Sequence, residues 1–250
     1  MKRVRSILLL VLVGLLGYGI AWAQPYVFRP ALMLGQDAIT DAASAQARVS
    51  LDDVGGRVLS IKPAASDGDL LFVLYPGGLV RPQAYEWLGR ALAEHGVQTV
   101  IAEFAADLAV TGKDRADALI AQYAAGRPVV IGGHSLGGAM AADYAARHAD
   151  QLSGLILLAA YPPDGVDLTH TRFGSLSLLA EHDQVAAADK VRGGLAHLSP
   201  SSRLEVIPGA VHAFFGRYGP QQGDGVPTVR REQAEQAIIE RIVDYLSPIA

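Results

Sequence analysis

Pro128-Val129-Val130-Ile131-Gly132-Gly133-His134-Ser135-Leu136-Gly137-Gly138-Ala139-Met140-Ala141-Ala142-Asp143-Tyr144-Ala145-Ala146 decides the fold. Its opening is an apolar run of strand length, its middle fits G-x-S-x-G at residues 133–137, and its small-residue tail has helical character. Strand, sharp turn and helix around that pattern make a nucleophile elbow. A serine on so tight a turn needs neighbours without bulky side chains, because the backbone there bends and packs closely. The turn lifts Ser135 clear of a sheet and aims the N-terminus of the next helix at the reaction centre, where it favours negative charge. The competing reading is an ordinary glycine-rich strand–helix turn.

A serine presented this way takes its acid and its base from loops after later strands, in the chain order Ser, Asp or Glu, His. Three strand-like runs follow Ser135, at residues 154–159, 175–180 and 203–208. The second ends in Glu181-His182-Asp183-Gln184-Val185, and the third in Gly209-Ala210-Val211-His212-Ala213-Phe214-Phe215. Asp183 and His212 therefore fall in the required loops and order. His212 would take the proton from Ser135 and later hand it to the leaving group, while Asp183 fixes the ring's tautomer and stabilises the imidazolium. Glu181 is the alternative acid. His134 lies inside the elbow with its side chain directed away from the nucleophile, which reads as local packing or hydrogen bonding. His95, His148, His170 and His197 have no strand-end placement.

A serine nucleophile also needs donors for the oxyanion. Leu70-Leu71-Phe72-Val73-Leu74-Tyr75 reads as a buried strand and runs into Pro76-Gly77-Gly78-Leu79-Val80. One donor is the N–H of the residue after the nucleophile, Leu136; the other comes from this loop, at Gly78 or Leu79. The competing reading of the two glycines is a plain turn.

The chain has 250 residues, half of them hydrophobic, a net charge of −4 and 18% charged residues. That is enough for one well-buried domain with a short appendage. No basic patch or run is present, so nucleic acid is not an expected partner. The absence of cysteine excludes disulfides, thiolate nucleophiles and cysteine-ligated zinc. There is no H-E-x-x-H and no G-x-G-x-x-G behind a strand, so neither metal nor cofactor is expected.

The N-terminus stands apart. Met1-Lys2-Arg3-Val4-Arg5 is basic, and no charged residue occurs from Ser6 to Phe28. As a helix that span would be about 35 Å long, against roughly 30 Å of bilayer hydrocarbon. It reads as a retained membrane anchor, with cleavage as a signal peptide after Ala21-Trp22-Ala23 as the alternative. Both place the rest of the chain outside the cytoplasm, since Lys2, Arg3 and Arg5 stay inside. The expected organisation is an anchor or signal at residues 1–28, a linker at 29–46 and a catalytic domain at 47–250.

The body alternates strand and helix: strands at 47–51, 57–62, 70–75, 97–102, 128–132 and the three later runs, with helices from Pro82, at 113–124, behind the elbow and at 230–246. Eight strands with interleaved helices predict an α/β fold, a mostly parallel sheet with helices on both faces and the site at the carboxyl ends of its strands. Residues 161–173, where a cap would be inserted, are short and rich in Pro, Asp and Thr, so the cap is minimal. The turn-rich loop at 216–225 either borders the substrate or leads to the last helix. Arg81 reads as a surface arginine, with an acidic substrate group as the other possible partner.

With these residues in place, the chain resembles the α/β-hydrolase superfamily, in particular its bacterial branch of dienelactone-hydrolase-like small serine esterases. Tyr75-Pro76-Gly77-Gly78, the glycine-rich elbow and the segment from Pro208 to Gly219 carry the resemblance, which extends over residues 70–246. It implies hydrolysis through an acyl-enzyme and assigns the nucleophile, acid and base to Ser135, Asp183 and His212. Two departures stand out. Glu181-His182 occupies a position where relatives often have a glycine before the acid, and the cysteine nucleophile of true dienelactone hydrolases is absent. The expectation is a serine hydrolase of a small-molecule or lipid ester of modest size, with thioesters and amides as further substrates. A non-catalytic envelope binding protein that keeps the fold is the alternative.

Overall fold

A computed structural model describes residues 2–27 and 47–250. The expected linker at 29–46 lies outside the described residues. The chain divides into two units, one holding the N-terminal helix and one holding the sheet.

Helix α1 runs from Lys2 to Val27. Its segment Val4–Trp22 has a mean hydropathy of 2.1, and its described side chains are exposed. Length and composition suffice to cross a bilayer. The Ala23-Gln24 bond lies inside this helix.

The second unit is built on an eight-stranded sheet in the order β1-β2-β4-β3-β5-β6-β7-β8. The strands are β1 (Ala47–Asp53), β2 (Arg57–Pro63), β3 (Leu70–Tyr75), β4 (Val97–Ala102), β5 (Val129–His134), β6 (Gly154–Leu158), β7 (Ser175–Ala180) and β8 (Arg203–Ile207). Strands β1 and β2 pair antiparallel, and β2 pairs antiparallel with β4. The six strands from β3 to β8 are mutually parallel, so the mostly parallel eight-stranded sheet is present.

Every residue of β3 to β7 is buried, as a parallel sheet covered on both faces requires. Alternation along the strands separates two cores. Leu70, Phe72 and Leu74 meet Trp87, Leu88, Ile238 and Ile242 on one face, contributed by α2 (Glu86–Ala93) and α6 (Arg231–Leu246). Leu71, Val73 and Tyr75 meet Ala116, Leu119, Ala141 and Ala145 on the other, from α3 (Arg115–Tyr123) and α4 (Leu136–Arg147). A shorter helix, α5 (Ala188–Gly193), lies between β7 and β8.

Two helix starts differ from expectation. The segment from Pro82 begins as a 3-10 turn, Pro82–Tyr85, before α2. Tyr85, with φ −113° and ψ 5°, interrupts helical geometry there, and its side chain is wholly buried. Helix α3 starts at Arg115 rather than 113. Residues 161–173 contain neither helix nor strand, consistent with a minimal cap.

Strand order fixes the functional end of the sheet. From β3 the chain crosses to β4 on one side and later reaches β5 on the other, which makes the β3/β5 boundary a topological switch point. Tyr75 pairs with Gly133 across it. The loop after β3 and the elbow after β5 are therefore neighbours.

Candidate active site

Ser135 has φ 51° and ψ −122°, between the end of β5 and the start of α4. Leu79, Ala106, Asp107 and Ala159 also have positive φ, and with Ser135 they occupy the loops after β3, β4, β5 and β6. Such geometry is costly for residues with a Cβ and collects at sites that must hold an unusual shape. Ser135 is pinned by its own N–H to the Leu158 carbonyl, at 2.9 Å. The glycines around it allow strand and helix to meet. A methyl on Gly133 would enter the backbone of Gly137 and Gly138, and one on Gly137 would strike the carbonyl oxygens of Tyr75 and Pro76.

Asp183 and His212 leave the ends of β7 and β8. The Nδ1 of His212 lies 2.8 Å from Oδ2 of Asp183, and both side chains are essentially inaccessible. The other carboxylate oxygen, Oδ1, accepts the N–H groups of Val185 and Ala186 at 2.9 and 2.8 Å. Asp183 is thus oriented by its own loop before it meets the ring. Glu181 faces elsewhere: its Oε2 accepts the Gly209 N–H at 2.7 Å, which braces the turn leaving β8.

Asp224, which the sequence reading passes over, holds the His212 turn from behind. It accepts the His212 N–H at 3.1 Å on Oδ1 and the Ala213 N–H at 2.9 Å on Oδ2. The short 3-10 turn His212–Phe215 has no cap from its preceding residue, Val211. Asp224 supplies acceptors for these first donors instead. The 216–225 loop therefore reaches back to the histidine turn. Only the Gly-Asp-Gly setting of Asp224 hints at this, and its partners lie 11 and 12 residues upstream.

In the loop after β3, the Gly77 N–H donates to the Tyr85 hydroxyl at 2.9 Å, and the Leu79 N–H to the Asp107 carbonyl at 2.8 Å. Gly78 sits between them, facing Leu136: a methyl there would lie 3.2 Å from Leu136 Cδ2. Leu79 spends its N–H on the neighbouring loop, so Gly78 is the better placed of the two candidate donors. Arg81 lies 3.0 Å from Glu103 and 3.7 Å from Asp107. It ties the loops after β3 and β4 together, and its charge is matched within the protein.

Beside Ser135 is a cavity of about 360 Å³. Leu136, Ala139, Tyr161, Pro163, Val185 and Ala186 line it, with Ala159 and Ala160 of the β6 exit, and none of these is charged. His134 lies beneath the site, fully buried, with its ring centroid 4.5 Å from that of His212. Burial, reinforced by His212, holds its pKa well below the ordinary histidine value. Among the described residues no cluster of His, Asp and Glu could hold a metal.

A family model described as an alpha/beta hydrolase family matches residues 71–236. No curated protein gives a significant sequence match. Among solved structures, the chain is similar to a predicted CIB-like hydrolase from Thermoplasma acidophilum, at 15% identity and TM-score 0.61, over 79% of this chain and 98% of that one. A dienelactone hydrolase from Anabaena variabilis matches at 17% identity and TM-score 0.61, over 82% and 99%. Est1E from Butyrivibrio proteoclasticus, solved with ferulic acid, matches at 15% identity and TM-score 0.58, over 79% and 99%. At these identities the likeness is one of fold.

Proposed function

Because the chain belongs to the alpha/beta hydrolase family, we propose that it is a serine hydrolase cleaving an ester of modest size through an acyl-enzyme. The observation that carries this reading is the buried 2.8 Å contact of His212 with Asp183, on the same end of the sheet as the strained turn at Ser135. In the first step His212 Nε2 accepts the Ser135 hydroxyl proton as the oxygen attacks the carbonyl carbon. The N–H groups of Leu136 and Gly78 hold the oxyanion. Collapse breaks the ester bond, and the proton on His212 passes to the departing alcohol. Water then attacks the acyl-enzyme, giving up a proton to His212, which returns it to the Ser135 oxygen as the acyl–oxygen bond breaks and the acid departs. Asp183 keeps Nδ1 as the protonated nitrogen throughout.

The uncharged lining of the cavity favours an apolar, neutral acyl group. A carboxylate there would lose its hydration without gaining a cation. Lipid esters and thioesters satisfy the same requirement. Helix α1 supports a place in the cell envelope, anchored with the hydrolase unit outside the cytoplasm, or released after Ala23. Membrane fractionation with N-terminal sequencing separates these two fates.

The test compares wild type with Ser135→Ala, using a fluorophosphonate probe and hydrolysis of p-nitrophenyl acetate and butyrate. Labelling and turnover that vanish together in the variant would establish the nucleophile. A folded wild type that takes no label would overturn the proposal and leave a binding protein on the same fold.

A further inference from the structure

His134 precedes the nucleophile and takes no part in the steps above, yet it touches both the loop after β3 and the turn that carries His212. Its Nδ1 lies 2.8 Å from the Tyr85 hydroxyl, which also accepts the Gly77 N–H at 2.9 Å. Gly77 adjoins the proposed oxyanion donor, Gly78. On its other side the His134 ring stands 4.5 Å from the His212 ring and within 6 Å of Phe215 and Tyr218. Tyr85 and His134 are both completely buried, so this polar chain is shielded from water.

The hydrogen-bond directions follow from the donors available. A Tyr hydroxyl has one proton. With Gly77 donating to its oxygen, the arrangement that gives that proton a partner sends it to Nδ1 of His134. His134 is then the acceptor at Nδ1, and its own proton sits on Nε2, a buried atom that makes no hydrogen bond of its own among the described residues. A phenylalanine at 85 would leave the Gly77 N–H and His134 Nδ1 without partners in a dry interior, and buried polar groups are costly to leave so.

We propose that His134 is a positioning residue: through Tyr85 it fixes the Gly77-Gly78 turn against the elbow, and so holds the oxyanion donor in register with Ser135. Preorganised donors stabilise the transition state only while they stay aimed at the developing charge. Apolar packing alone at this place on β5 would need neither the acceptor nitrogen nor the tyrosine hydroxyl that faces it. The inference rests on the serine-hydrolase reading of the site.

The experiment uses the full chain, with p-nitrophenyl butyrate as substrate and fluorophosphonate labelling as a check on Ser135. Tyr85→Phe removes one oxygen with little change in volume. Its expected effect is a fall in kcat of about tenfold with KM little changed, short of the roughly 100- to 1000-fold that loss of an oxyanion donor costs. His134→Leu should match it. The double variant should be no slower than either single one, because both break the same chain of contacts. His134→Asn keeps an acceptor oxygen near the Nδ1 position and should restore most of kcat. A purely structural role would lower the melting temperature of Tyr85→Phe and leave its kcat intact; that result overturns the inference. So would His134→Leu and His134→Asn behaving alike. Wild type that neither labels nor turns over would instead overturn the serine-hydrolase reading itself.

Discussion

Oδ2 of Asp183 meets Nδ1 of His212 at 2.8 Å, while Oδ1 of the same carboxylate is held by the Val185 and Ala186 N–H groups. Glu181, two residues earlier, points to Gly209 instead. The two acids should therefore respond differently to amide substitution. Asp183→Asn keeps the shape but offers Nδ1 the wrong partner, and kcat should fall by about 10⁴-fold. Glu181→Gln retains an acceptor for Gly209 and should leave kcat near wild type. Steady-state kinetics on p-nitrophenyl butyrate decide the matter, and equal losses in the two variants would contradict the assignment.

Crossing of β5 and α4 depends on the absence of two side chains. Gly133→Ala and Gly137→Ala place a methyl against backbone, which cannot move aside as a side-chain tip can. Overpacking of this kind should cost about 3 kcal/mol or more. Either variant should be insoluble or melt far below wild type. A soluble Gly137→Ala with an unchanged melting temperature would mean that strand and helix do not meet this closely at the elbow.

Much of this was readable from the chain. Strands β3 to β7 are buried on both faces; β3 and β6 stand out as continuous apolar runs, while β4 and β7 remain legible although Gln98, Thr99, Ser175 and Ser177 interrupt them. The elbow glycines mark a place where backbone must approach backbone. The features not legible in the chain bring together residues far apart in sequence. Tyr85 meets His134 across 49 positions, and Asp224 reaches back to His212 across a glycine-rich loop. The first pairing has no local signature and the second only the Gly-Asp-Gly setting of Asp224, because the switch of strand order at β3 and β5 creates the first and tertiary packing the second. Pro82 marks a helix start, which the structure opens as a 3-10 turn with the buried Tyr85 at its junction with α2.

The apolar cavity beside Ser135 predicts a preference that can be narrowed. Ala139, in the first turns of α4, lines it together with Val185 and Ala186. Ala139→Leu adds three carbons to the lining while keeping a good helix former. Hydrolysis of butyrate or longer esters should fall by more than that of acetate, with the change mainly in KM. Comparable losses for acetate and butyrate would show that the acyl group lies elsewhere.

His134 also gives the fold a pH dependence of definite sign. In the unfolded chain it titrates near the ordinary value of about 6.5, whereas in the fold its pKa is held well lower by burial and by His212. Above that ordinary value both states hold it neutral and its contribution is flat. As pH falls below 6.5 the unfolded state takes up a proton that the folded state refuses, so stability is lost at up to about 1.4 kcal/mol per pH unit. The loss levels off only below the folded pKa. His134→Asn removes the titrating group while the other histidines remain in both proteins. Urea unfolding at pH 7, 6 and 5 should therefore show wild type losing stability faster than the variant as the solution is acidified. Parallel curves would mean that His134 accepts a proton within the fold and that its site is less dry than its burial indicates.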